Sequence, residues 1–284
     1  MTTFRHSADP HISKRTSSPS GSLATFFLLV FALSVPFWLV GALTGFQLVR
    51  GLPVGALMAF CPLVAAVILT YREKQGEGVR KLLRRVLDYG KSSNKVWFLP
   101  ILLLRPAVLV LSYEVMRVMG APLPTPRFSA PTAIALFVIF FVGAVGEEVG
   151  WSGYATDRML SRWSALEAGI LLGCVMAVWH IVPLVQAHRP ATWIAWWCLS
   201  AVATRVLMIW IYNNTGGSVF ATILYHDMDN VSWLMFPNFG SHYDPRIAGL
   251  ILALAAVIVT LGWGPRTLTR KGREDRVVGN SRTS

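Results

Sequence analysis

The stretch TAIALFVIFFVGAVGEEVGWSGY, residues 132–154, decides how the chain is read. At a rise of about 1.5 Å per residue it is long enough to cross the ~30 Å hydrocarbon core of a bilayer. Yet two carboxylates, Glu147 and Glu148, stand side by side inside it. A charged side chain in hydrocarbon costs roughly 3 kcal/mol on insertion scales, and such residues are kept where they do chemistry. Two later apolar runs each carry a lone histidine, His180 and His226, and Asn230 follows the second at i+4. Ionisable groups on three separate apolar segments describe an active site built inside a membrane.

Composition agrees. Of 284 residues, 54% are hydrophobic and only 14% charged, against about 25% charged in soluble domains. Mean hydropathy is +0.52. The three cysteines, Cys61, Cys174 and Cys198, lie in apolar runs without metal-ligand spacing and read as small buried apolar residues. The net charge of +12 raises the question of nucleic acid, but its placement excludes that class. Basic residues cluster at Arg5, Lys14 and Arg15, between Arg72 and Lys95, and from Arg266 to Arg282. This is the positive-inside pattern of cytoplasmic segments, with membrane lipids as secondary partners.

The expected organisation is an all-α, polytopic helix bundle of about eight spans. Residues 1–22 read as a disordered tail, 23–264 as the transmembrane domain with its motif core at 132–236, and 265–284 as a basic cytoplasmic tail. The spans fall near Leu23–Phe46, Leu52–Tyr71, Val96–Val118, Thr132–Tyr154, Ala168–Ala187, Ala191–Tyr212, Ser218–Phe236 and Ile247–Trp263, the seventh being unusually polar. Eight spans put both termini on one side. The Arg72–Lys95 loop, with eight basic residues against three acids, makes that side the cytoplasm of a cell-membrane protein. Within the loop, Val79–Tyr89 reads either as a basic amphipathic helix on the inner leaflet or as a solvated loop helix.

Helical rise gives depths from the cytoplasmic ends of about 15 Å for Glu147, 18 Å for His180 and 12 Å for His226. The polar groups therefore share a level, and the site is expected to open toward the cytoplasm. Gly143, Gly146, Gly150 and Gly153 form one stripe on the fourth span, inviting close approach of another helix. Glu147 projects beside that stripe and Glu148 away from it, so the two should differ in role. A carboxylate in a partly dry pocket suits a general base. Imidazoles can orient a water or stabilise an oxyanion, and Asn230 can donate to the same oxyanion. Two histidines and a glutamate also suffice to hold zinc, so a divalent metal stays open. Asp227 and Asp229 read as pocket-lining or supporting residues.

These residues lie in GEEVGWSGYATDRM (146–159), AVWH (177–180) and LYHDMDN (224–230). Over about residues 96–262 the chain resembles the CPBP family of intramembrane proteases, also called Abi or CAAX prenyl protease 2-like proteins. The resemblance implies Glu147 as catalytic base, with Glu148 accessory, His180 and His226 as catalytic histidines, and Asn230 on the oxyanion side. It also implies a membrane-embedded or lipidated peptide or protein substrate, since the family's eukaryotic and archaeal members trim prenylated CAAX proteins. Many bacterial members have unknown substrates or are tied to bacteriocin immunity.

One position departs from the pattern. The family has Arg four residues after the second glutamate, where this chain has Ser152. An arginine inside an apolar span, Arg105 or Arg205, is expected to face Glu148 in its place. Failing that, the chain would be an inactive homologue acting as a membrane binding or immunity protein. Gly150-Trp151-Ser152-Gly153 also matches the Gly-x-Ser-Gly string of rhomboid proteases. The His-x-x-x-Asn element follows that string here, whereas rhomboids place theirs before it. No repeated half with a second broken helix points to a transporter.

Overall fold

A computed structural model describes residues 20–49, 52–92, 94–126, 129–237 and 239–270. The N-terminal tail before Ser20 and the tail after Arg270 lie outside the described residues. The chain forms α1 (Ser20–Thr44), a short antiparallel pair β1 (Gln47–Val49) and β2 (Leu52–Pro53), a 3-10 run Val54–Phe60, and α2 (Cys61–Arg84). It continues through α3 (Phe98–Val118) and α4 (Ala130–Gly150), a π-helical run Trp151–Thr156, and α5 (Asp157–Leu160). The last elements are α6 (Ala165–Gln186), α7 (Ala191–Asn214), α8 (Val219–Met235) and α9 (Pro245–Trp263).

Seven helices among the described residues are long and apolar enough to cross a membrane. The eighth expected span is α8, which at 17 residues is shorter than the ~20 a perpendicular crossing needs. It packs against α3, α4 and α7, which shelter its polar residues from lipid. The outer surface is apolar, with Leu28, Leu43, Val110 and Leu261 well exposed, as expected where lipid replaces water. Only Cys61 of the three cysteines is buried: Cys174 sits on the outer surface and Cys198 is half-buried, all three free. Lipid, unlike water, sets no premium on hiding a thiol, so the expectation of burial does not carry over.

Small residues set the close packing. A Cβ on Gly150 would lie 2.5 Å from the backbone of Pro62, and one on Gly146 2.8 Å from the Ala59 carbonyl, so α4 rides directly on the start of α2. Gly153 approaches Leu82, while Gly143 faces open space. The glycine stripe is thus a contact over only part of its length. A Cβ on Gly173 would lie 2.8 Å from Val202 Cα and 3.2 Å from Arg205 Cβ, which draws α7 onto α6.

Hydrogen bonds tie loops together at each end of the bundle. At one end, Arg85 reaches Asp157 at 2.9 Å and the Gly217 carbonyl at 3.0 Å, and Ala165 N donates to the Arg266 carbonyl at 2.8 Å. At the other, Gln186 Nε2 donates to the Trp38 carbonyl at 2.7 Å, and Trp193 meets Tyr243 with ring centroids 6.2 Å apart. The amphipathic segment continues α2 beyond a kink at Gln75 (φ 55°). It buries Leu82 and plugs Arg85 into the bundle end, while Leu83, Leu87 and Tyr89 stay exposed.

Candidate active site

α4 turns Glu148 inward, α7 supplies Arg205, and α8 supplies His226. Glu148 is fully buried, and Arg205 is 2% exposed. The guanidinium grips the carboxylate at both oxygens, Nη1 to Oε2 at 2.9 Å and Nη2 to Oε1 at 2.8 Å. Ser152 Oγ donates to Oε2 at 2.5 Å. His226 Nδ1 lies 2.9 Å from Oε1. Glu148 therefore accepts from three side chains in a dry setting, where a paired carboxylate is tolerated and a lone one is not.

This answers the Ser152 departure. The missing cation is supplied from α7, and the short serine side chain leaves room for the incoming guanidinium while adding a hydrogen bond. Arg105, the other candidate, instead pairs with Asp229 on α8.

Fixing Nδ1 of His226 on Glu148 aims Nε2 the other way, and Nε2 lies 4.0 Å from Glu147 Oε1. Glu147 is buried at 7% exposure, and its Oε2 has no hydrogen-bond partner. His180 Nδ1 sits 2.8 Å from the Met176 carbonyl one turn back, which orients that ring and leaves Nε2 free of the backbone. Trp179 and Trp197 flank it at 4.8 and 5.0 Å between centroids. Trp179 is itself locked by a 2.8 Å bond from Nε1 to Ser34 Oγ of α1.

A cavity of about 570 Å³ meets this cluster. His180, His226 and Asn230 form part of its wall, together with Arg105, Arg205 and Asp229. Glu147 is not part of the wall and lies just behind it. The sequence-identified residues are thus brought together in three layers: histidines and asparagine on the cavity, Glu147 beneath, and Glu148 deeper still. Asp229 joins the wall, whereas Asp227 is fully buried with neither oxygen hydrogen-bonded. Asp229 and Arg105 had a signal in the sequence, each being a charge inside an apolar run, but no spacing rule pairs α3 with α8.

The cavity opens away from the Arg72–Lys95 end, not toward it as expected. Depth along the helices located the polar level correctly but could not say which end is plugged. The plug is tertiary: the π-helical run after Gly150 and the Arg85–Asp157–Tyr212 cluster close the basic end. Among the described residues, no group of three or more His, Cys, Asp or Glu is placed to hold a metal ion. His226 and His180 each have Nδ1 committed elsewhere, which leaves Nε2 as the nitrogen each could offer to a ligand.

Residues 129–232 match the family described as Type II CAAX prenyl endopeptidase Rce1-like. Over that region the chain is similar to the Rce1-like family. It is 25% identical over 257 residues to CAAX prenyl protease 2 of Methanococcus maripaludis, covering 82% of this chain and 92% of that one. The matched Rce1-like region runs from the cap of α4 to within α8, so it contains every residue of the Glu148 cluster and the cavity-facing histidines.

Proposed function

We propose that this protein is an intramembrane endopeptidase in which Glu147 activates a water for attack on a peptide bond. The observation that carries the reading is the buried, half-unpartnered Glu147 carboxylate 4.0 Å from His226 Nε2. A water about 2.8 Å from both atoms closes a triangle with them, at ordinary hydrogen-bond lengths. Glu147 takes one proton from that water, and the hydroxide oxygen bonds to the carbonyl carbon. The developing oxyanion is met by the Asn230 amide and by His180, both on the cavity wall. Glu147 then passes its proton to the leaving nitrogen as the C–N bond breaks, so atoms and charge balance. Glu148 is a positioning residue here: it fixes His226 and is itself held by Arg205 and Ser152.

The substrate class is a membrane-embedded or lipidated peptide, in keeping with the apolar walls and with the CAAX prenyl protease relative. The reading as an inactive homologue rested on a missing cation, and the pairing of Arg205 with Glu148 speaks against it. A divalent metal would need the donors to regroup, so no step is routed through one. The test is cleavage of a farnesylated CAAX peptide and of casein by purified protein in detergent, with and without chelator. Glu147→Gln should lose about 100-fold or more of the rate, the usual span of general acid–base catalysis, while keeping its fold. A variant that retains the wild-type rate overturns the reading, and chelator sensitivity would return zinc to the site.

A further inference from the structure

We propose that Arg105 is the anion-binding residue of the catalytic cavity, and that it reads the free C-terminal carboxylate of the peptide being cut. This rests on the cavity being the catalytic one. Arg105 is 3% exposed and sits on the cavity wall. Its Nη2 is paired with Asp229 of α8, and the Tyr243 hydroxyl stands beside the guanidinium. Its Nε and Nη1 have no hydrogen-bond partner. Buried polar groups in a native fold are normally satisfied, so these two nitrogens are donors held ready for an acceptor that enters the cavity. A carboxylate suits them best, since a hydrogen bond between two charged groups is roughly twice as strong as a neutral one.

The rest of the wall agrees. It carries Arg105, Arg189 and Arg205 but a single carboxylate, Asp229. Arg205 is engaged by Glu148 behind the wall. Arg189 stacks 4.7 Å over the Trp193 ring, and among the described residues no carboxylate neutralises it. Trp193 in turn meets Tyr243, which links the two guanidiniums along the wall. An anion that enters the cavity therefore meets uncompensated positive charge.

The anion site and the catalytic water are a short peptide apart. His226 and Asp229 are an i,i+3 pair on α8, which puts their Cβ atoms about 5–6 Å from each other. The side chains at either end extend this to about 10 Å, the reach of about three extended residues. The carboxylate thus lies a few residues beyond the bond under attack. A chain end is the source that fits. Arg85 and its partners seal the basic end of the bundle, so the cavity is a blind pocket, and a polypeptide seated in it ends there. A lipid phosphate is the other source of an anion, but Arg105 stands about 20 Å from the Val118 end of α3, too deep for a headgroup.

The test is binding of the farnesylated CAAX peptide, as free acid and as C-terminal amide, to Glu147→Gln protein in zwitterionic detergent, alongside the cleavage assay. The acid should bind about 10- to 100-fold more tightly than the amide, the usual worth of hydrogen bonds to a charged group. Arg105→Gln combined with Asp229→Asn should abolish that preference. The combination removes both charges of the pair, so no buried carboxylate is stranded to unfold the protein. Arg105→Lys, which keeps the ion pair with fewer donors, should retain only part of the preference. A merely structural role for Arg105 would move both peptides alike. Equal binding of acid and amide by the Glu147→Gln parent, or an undiminished preference without Arg105, overturns the proposal. So does a preference that vanishes on adding phosphatidylglycerol, since the guanidinium would then serve lipid phosphate. A protein that discriminates acid from amide but cuts neither sinks the peptidase reading alone; one that binds and cuts both equally sinks this proposal alone.

Discussion

Arg205→Ala should be among the most damaging single substitutions in the bundle, and Ser152→Arg should partly repair it. Glu148 has no solvent exposure, so Arg205→Ala strands a carboxylate that water cannot reach. Removing one partner of a buried ion pair costs about 3–5 kcal/mol. The two remaining donors, Ser152 and His226, are already engaged in the wild type and so do not make up the loss. Ser152→Arg alone forces a second guanidinium into a closed space, an overpacking cost of about 1–3 kcal/mol. Combined, the changes relocate the cation to position 152, whose side chain already points at Oε2. The double variant should therefore be more stable than the summed singles by about 2 kcal/mol, within the range seen for residues sharing one network. Chemical unfolding of the purified protein in detergent measures all four corners of the cycle. A single Arg205→Ala variant within about 1 kcal/mol of wild type, or strictly additive singles, would refute the claim that Arg205 replaces the family arginine.

Three further outcomes are expected in the same assay. Gly150→Ala places a Cβ 2.5 Å from the Pro62 backbone and should cost about 1–3 kcal/mol as α2 and α4 move apart; an unchanged midpoint would mean the two helices are not so close. Asp88→Ala removes the acceptor for Ser218 Oγ (2.8 Å) and Phe220 N (3.0 Å) at the start of α8, a loss of about 1 kcal/mol typical of a cap, and Asp88→Asn should lose less. Asp227→Asn should leave stability unchanged or raise it, because neither carboxylate oxygen has a partner to lose; a large loss would reveal an interaction that Asp227 makes in the membrane.

Much of this protein was legible in its residues. Apolar runs near 20 residues gave the helices, because hydrocarbon leaves the backbone no partner but itself. Observed ends fall within a few residues of the expected ones, as at Ala191–Asn214 and Pro245–Trp263. Glu147, Glu148, His180, His226 and Asn230 stood out because charge and amide groups are costly at that depth, and their common level followed from helical rise alone. What the sequence left open was which partner each group would find. Arg105 and Arg205 were both open as partners for Glu148, each being an arginine inside an apolar span. Only the α6–α7 packing at Gly173 and the α3–α8 contact sent Arg205 to Glu148 and Arg105 to Asp229. The expected opening toward the Arg72–Lys95 end did not hold, since hydropathy is symmetric along a span and does not say which end is plugged. Arg85, read from sequence as one more basic loop residue, folds inward across more than sixty positions to seal one end. Local sequence determines which segments become helices and how deep each side chain lies. Long-range packing alone decides which of them touch, because contacts between helices depend on rotations and offsets that no single segment encodes.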